Sequence, residues 1–309
     1  MTRPEYIEIA CKTALNRVTG MPFRWSLNPY RGCAHGCHYC YARATHPYLG
    51  FGAGADFAAK IVVKTNLPEV LRQELGRPNW ARERVAIGTA TDAYQPGEGR
   101  YRLTQSSLEA LLAYGTPVSI VTKSTLVLRD LDLLTALAQG PGATVYFTIT
   151  TLDPALWRLL EPGTPPPAKR LQVLQRLSGA GVRTGVFLAP ILPGITDSGE
   201  SIEAVAAAAR EHGASAFGSS ALRLAPVVKE HYLGFVAQVF PALLPRYERA
   251  YAGTTIAPDY LRAIERRLAE IRQRHGFGDD AMGDRSLRRA DAARGATVTG
   301  KTGQLALPF

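Results

Sequence analysis

The densest group of chemistry-bearing side chains in the sequence is NPYRGCAHGCHYCYAR at residues 28–43, where Cys33, Cys37 and Cys40 stand in a C-x3-C-x2-C spacing. Three thiolates that close in one short loop can hold three irons of a cubane cluster, and Gly32 and Gly36 remove Cβ atoms where backbone must wrap tightly around it. One iron is then left without a protein ligand. An open iron suits catalysis, because a small molecule can chelate it through an amino and a carboxylate group, and S-adenosylmethionine offers both. The other reading is a zinc site completed by His35, His38 or His46. Zinc pairs are usually followed by a second, distant pair, and the sequence has none. His35 and His38 could also tune a cluster or simply face solvent. Cys11 lies too far upstream for the spacing to assign it, and reads as a free thiol or, alternatively, a redox or hydrogen-donor group.

Such a loop needs a scaffold, and the sequence predicts one of βα units. From residue 84 onward, short β-branched or apolar runs alternate with longer helical stretches. Strands are expected over 84–91, 118–124, 144–151, 183–192 and 216–224. Helices are expected over 104–114, with Thr104 as cap, and over 130–139, 167–180 and 198–212. Upstream, 25–30 reads as a first strand leading into the cysteine loop, 60–65 as a strand or an extended link, and 67–75 as a helix. Residues 231–251 and 258–275 read as further helices, the second with Arg262, Arg266, Arg267, Arg272 and Arg274 on charged faces. The fold class is α/β: six units suit a partial (β/α)6 barrel, TIM-like, better than an open doubly wound sheet. The expected division is an N-terminal extension over 1–24, the barrel over 25–227, a C-terminal helical segment over 228–277 and a flexible tail over 278–309.

With 46% hydrophobic and 20% charged residues in 309, the chain has globular composition, which excludes disorder, collagen and coiled coil for the whole. No run approaches the roughly 20 apolar residues of a membrane helix, and the first 20 residues lack a signal-peptide core, so a cytoplasmic protein without a membrane partner is expected. Four cysteines in a reducing compartment do not make a disulfide framework. A formal charge of +10 favours polyanion partners, nucleic acid foremost, although a basic enzyme that binds none fits the same number.

The cysteine loop with its HYCYA ending, GTATDAYQPGEGRYRLT at 88–104, TKSTLVLRD at 122–130, EPGTPPPAKR at 161–170 and APILPGITD at 189–197 together resemble the radical S-adenosylmethionine enzymes. Within them the array is similar to proteins related to spore photoproduct lyase, and most of all to an actinobacterial-type subfamily; the resemblance covers roughly residues 21–224. It implies a partial barrel of the radical SAM type with a [4Fe–4S] cluster on Cys33, Cys37 and Cys40 at the C-terminal strand ends. It also implies S-adenosylmethionine as cofactor and an external one-electron reductant, with reductive C–S cleavage giving a 5′-deoxyadenosyl radical. Tyr39 and Tyr41 match aromatic positions that shield the cluster or pass a hydrogen atom, and packing at the barrel mouth is the alternative. Thr91 and Asp92 match the S-adenosylmethionine ammonium site, Lys123 with Ser124 the carboxylate site, Thr148 a nucleoside contact, and Ala189 with Pro190 an adenine-side segment. Asp92 could equally cap its loop, Lys123 could be solvated, and Glu161 and Arg170 either pair or line the site.

Thr89 stands where the lyase has its hydrogen-donating cysteine, and a threonine O–H bond is too strong for that task. Either another donor such as Tyr39 or Cys11 serves, or the substrate differs from the spore photoproduct. QLALPF at 304–309, led by Gln304 and closed by Phe309, resembles the peptide by which bacterial DNA repair and replication proteins dock on the polymerase sliding clamp. Together these features point to an enzyme acting on nucleic acid, damaged DNA in particular. The alternatives are a radical enzyme acting on a small molecule, tRNA or peptide, and a non-catalytic DNA-associated iron–sulfur adaptor.

Overall fold

Every residue of the run ATVYFT at Ala143–Thr148 is buried, as a parallel strand covered on both faces requires. In the computed structural model, which describes residues 3–278, this run is β8 of ten strands. The others are β1 (Glu5–Ile9), β2 (Leu15–Arg17), β3 (Trp25–Leu27), β4 (Tyr30–Arg31), β5 (Lys60–Lys64), β6 (Val85–Ile87), β7 (Val118–Thr122), β9 (Arg183–Ile191) and β10 (Ala216–Ala221). The larger sheet runs β10-β9-β8-β7-β6-β3-β2. Its strands from β3 to β10 are parallel, and β2 closes the edge antiparallel to β3. The order never reverses along the chain. That is the winding of a partial (β/α)6 barrel, whereas a doubly wound sheet has a switch point where strand order turns back.

Helices Leu103–Ala113, Leu131–Gln139, Pro167–Gly179 and Gly199–Glu211 connect successive parallel strands. Thr104 does not cap the first of them. It lies inside the helix, its N–H donating to Glu98 Oε2 (3.0 Å) and its hydroxyl to the Ala93 carbonyl. The helix expected over 231–251 is broken into Pro226–Val239 and Leu244–Ala250, because Pro241 forces Phe240 out of helical geometry. Helix Pro258–Arg274 buries Tyr260, Ile264, Leu268 and Ile271 along one stripe. Three of its arginines fasten the helix to the barrel: Arg267 donates to the Asp197 carbonyl, Arg272 to the Phe217 carbonyl and Arg274 to Glu203.

The first residues form structure that the sequence pattern did not suggest. A small second sheet, β1-β5-β4, joins β1 in parallel to β5 and β4 antiparallel to β5, beside the cysteine loop. No helix among the described residues is long and apolar enough to cross a membrane. The peptide at 304–309 lies outside the described residues.

Candidate active site at the cysteine loop

The loop that carries the three cysteines is tied down on every side by backbone. Cys33 N–H donates to the Phe57 carbonyl (3.0 Å), His38 N–H to the Leu160 carbonyl (3.2 Å), and Gly163 N–H to the His35 carbonyl (3.0 Å). Gly32 has φ +78°, and a Cβ there would sit 2.8 Å from the Lys60 carbonyl oxygen, so both conformation and space demand glycine. Gly36 is required only by its φ of +64°. Gly163, in the turn after helix Pro154–Leu160, is required by space alone: a Cβ would lie 2.5 Å from the Ala34 carbonyl oxygen.

Cys33, Cys37 and Cys40 line a cavity of about 450 Å3 at the C-terminal ends of the parallel strands. Thr91 and Asp92 enter it from the loop after β6, Lys123 from the end of β7, Thr148 from the last position of β8, and Ala189 and Pro190 from the end of β9. Tyr39 and Tyr41 line it from the loop itself. Ser124 does not reach the cavity; its Oγ accepts from the Leu126 N–H and caps the helical turn Thr125–Asp130. Cys11 also lies elsewhere, its N–H bonded to Asn66 Oδ1 beside the small sheet.

Asp92 is fully occupied by protein groups. Its Oδ2 accepts from the Lys123 N–H (2.7 Å) and faces His35 Nδ1 at 3.3 Å, while Oδ1 accepts from the Thr122 hydroxyl (2.7 Å) and the Tyr94 N–H (2.9 Å). Burial alone would raise this carboxyl, but the facing His35 and the donated hydrogen bonds bring it down to about 2. His35 is therefore not a solvent-facing loop histidine. It is 3% exposed and joins the cysteine loop to the strand ends. Thr91 adds a second tie, donating to the Gly32 carbonyl (2.6 Å) and accepting from Gln95 Nε2 (2.9 Å). Lys123 places its ammonium 5.5 Å from the Tyr39 ring centroid. The Tyr39 hydroxyl donates to Glu161, whose other oxygen meets Arg170 Nη2 at 2.5 Å. Glu161 and Arg170 thus pair with each other behind the cavity, and neither lines it. Tyr41 is exposed, its hydroxyl donating to the Thr89 carbonyl.

Among the described residues no three His, Cys, Asp or Glu side chains converge on one ion position. Of the three histidines that could complete a zinc site, His35 faces Asp92, His46 bonds the Asp56 carbonyl through Nε2 (3.1 Å), and His38 stacks on Phe235. Three thiols on one cavity with no fourth protein ligand beside them among the described residues suit a cluster with one open iron.

The family model described as the Radical SAM superfamily matches residues 27–206, more than half of the chain. The chain belongs to the radical SAM superfamily. An uncharacterised protein of Mycobacterium tuberculosis is 42% identical over 280 residues, covering 88% of this radical SAM chain and 82% of that protein. One from Methanocaldococcus jannaschii is 31% identical over 193 residues, 62% of this chain and 70% of that one. Among solved structures, a spore photoproduct lyase mutant with bound AdoMet and dinucleoside spore photoproduct superposes with a TM-score of 0.65 at 18% identity, covering 87% of this chain and 79% of that one. At that identity the likeness shows the fold. The superfamily implies S-adenosylmethionine and an iron–sulfur cluster.

Sequence reasoning missed several groups that build the radical SAM site. Asn28 holds Thr89 and the Ala90 N–H, and Gln95 holds the Ala34 N–H. Met21, Pro22 and Phe23 form an apolar lip of the cavity, and the exposed Arg223 stands after β10 at its mouth. Spacing gave no signal for these, since each acts across a tertiary contact.

Proposed function

We propose that this chain is a radical SAM enzyme in which Cys33, Cys37 and Cys40 hold a [4Fe–4S] cluster and whose substrate is nucleic acid, damaged DNA in particular. The observation that carries the proposal is the convergence of three thiols with Thr91, Lys123 and Thr148 on one strand-end cavity. When bound, the cluster and S-adenosylmethionine supply a 5′-deoxyadenosyl radical, given one electron from an external reductant.

The chain's own residues bind, orient and exclude water. Lys123 brings a cation to the floor of the cavity for a carboxylate, and Thr148, Ala189 and Pro190 offer a wall for a nucleoside. Asp92 acts through structure, since its oxygens already accept from the Lys123 N–H, Thr122 and Tyr94; the ammonium-site reading therefore rests on Thr91 and backbone carbonyls. Both hydroxyls are bonded, Tyr39 to Glu161 and Tyr41 to the Thr89 carbonyl, but Tyr39 is buried and Tyr41 exposed, so Tyr41 is the tyrosine whose ring is open to substrate. Support for nucleic acid comes from the +10 charge, from Arg223 at the mouth, and from the dinucleoside bound by the spore photoproduct lyase mutant of similar fold. The same reading includes a clamp contact through residues 304–309, to be judged by loss of clamp binding in a Gln304→Ala, Phe309→Ala chain.

The test is 5′-deoxyadenosine yield from anaerobically reconstituted, dithionite-reduced protein with ultraviolet-irradiated DNA, intact DNA and no DNA. Yield that rises only with irradiated DNA is the expected result. Yield indifferent to DNA would move the substrate to a small molecule, tRNA or peptide, and no yield from a chain with an intact cluster would leave the adaptor reading.

A further inference from the structure

Arg43 follows Cys40 by three positions and is 2% exposed. Its Nε donates to the Cys37 carbonyl (3.1 Å) and its Nη2 to the Gly36 carbonyl (2.8 Å). Its Nη1 donates to the carbonyls of Ala53 (2.9 Å) and Gly54 (2.7 Å), and its Cζ lies 4.9 Å from the Phe57 ring centroid. Each of these partners is a backbone carbonyl or an aromatic face, and no carboxylate within ion-pair distance of Arg43 is found among the described residues. A buried guanidinium cannot discard its proton, and a buried charge without an opposite charge is costly. Carbonyl dipoles satisfy its N–H groups but carry no net negative charge. The other ring near it on the helix side, His231, is held to about 4 by burial and by Arg43 itself, so it adds no charge at neutral pH. The anions that can face this cation are the sulfurs of the loop whose Cys37 and Gly36 carbonyls it holds, once a cluster keeps Cys33, Cys37 and Cys40 as thiolates.

We propose that Arg43 is the buried counter-charge of the cluster held by Cys33, Cys37 and Cys40, and that its positive charge makes that cluster easier to reduce. The inference rests on the cluster reading above. Arg43 is a positioning residue: its guanidinium is bonded to the loop carbonyls and acts through them and the field across them. Net charge around a cluster is one of the levers that sets its potential. A cation fixed in a low-dielectric site favours the state carrying one more electron.

The experiment uses the full chain, reconstituted anaerobically, as wild type, Arg43→Lys, Arg43→Gln and Arg43→Met. Iron and acid-labile sulfide are counted first, and an EPR-monitored redox titration without S-adenosylmethionine then gives the midpoint of each loaded protein. If wild type itself assembles no four-iron cluster, the proposed function fails, and that outcome is separate from any effect of substitution. The expected result is a midpoint moved to more negative potential in Arg43→Met and Arg43→Gln, with Arg43→Lys close to wild type. Failure of the two neutral variants to load iron while Arg43→Lys loads with the wild-type midpoint supports the counter-charge role. Neutral variants that load fully with the wild-type midpoint would overturn it. So would an equal shift in all three variants, or loss of loading in all three, because the fork geometry rather than the charge would then be what matters.

Discussion

Glu161 and Arg170 face each other with side chains 1% and 0% exposed. Burial alone would raise the Glu161 carboxyl above its ordinary 4.5, but Arg170, Lys123 and the Tyr39 hydroxyl prevail and hold it at about 2. A carboxyl held below its unfolded value contributes stability that is fully present above about pH 4.5 and is lost as pH falls toward about 2. Glu161→Gln leaves Arg170 buried without its counter-ion and is expected to cost about 3–5 kcal/mol near neutral pH. Denaturant midpoints of the metal-free wild type and variant should therefore differ widely at neutral pH and converge in acid; a gap that persists unchanged into acid would refute the assignment. At this scale the sequence was legible where a residue type carries its own chemistry. The three cysteines, Lys123 and the two tyrosines were identified from motif and resemblance, and they do line one cavity. Asp92, Ser124 and His35 were harder to read. Whether a short polar side chain faces a ligand or its own backbone depends on neighbours that sequence spacing does not specify.

The turn that holds Gly163 and the cysteine loop behave as one element made of two distant segments, joined by the bonds Gly163 N–H to His35 O and His38 N–H to Leu160 O. In Gly163→Ala, the new Cβ 2.5 Å from the Ala34 carbonyl must push backbone and not a pliable side chain. An overpacking cost of about 1–3 kcal/mol is expected, together with reduced iron uptake on reconstitution. Gly179→Ala, at a position where a Cβ meets nothing within 4 Å, is the control and should leave iron uptake unchanged. A Gly163→Ala protein with full iron uptake would show that the turn does not shape the cradle. The βα elements themselves were legible: helix Leu67–Leu75 falls where expected, and the parallel strands fall within a few residues of their predicted spans. Of the small sheet, β5 was legible as a strand or extended link over 60–65, but β1 was not, because it owes its existence to pairing with β5, far along the chain, and its own exposed polar face gives little periodic signal.

Across the molecule, the monotonic strand order brings the ends of β6 to β10 to one rim, so residues far apart in sequence share one mouth. A chain of net charge +10 with Arg223 at that mouth is expected to bind DNA with strong salt dependence. Between 50 and 200 mM salt its affinity for duplex or single-stranded DNA should fall by at least about tenfold. Affinity that is flat with salt, or undetectable at low salt, would count against phosphate contacts and toward an uncharged substrate. Net charge was readable from composition, but its placement required the fold.

The reach of the Tyr39–Glu161 bond, 122 positions along the chain, has a consequence for biosynthesis. A nascent polypeptide emerging from the ribosome presents its cysteines early, yet the turn and the arginine that brace them are translated only after more than a hundred further codons. Until Arg170 has emerged, the thiols belong to an unfinished fold. On the proposed cluster reading, delivery of iron and sulfide is therefore expected to follow assembly of most of the barrel rather than to seed it.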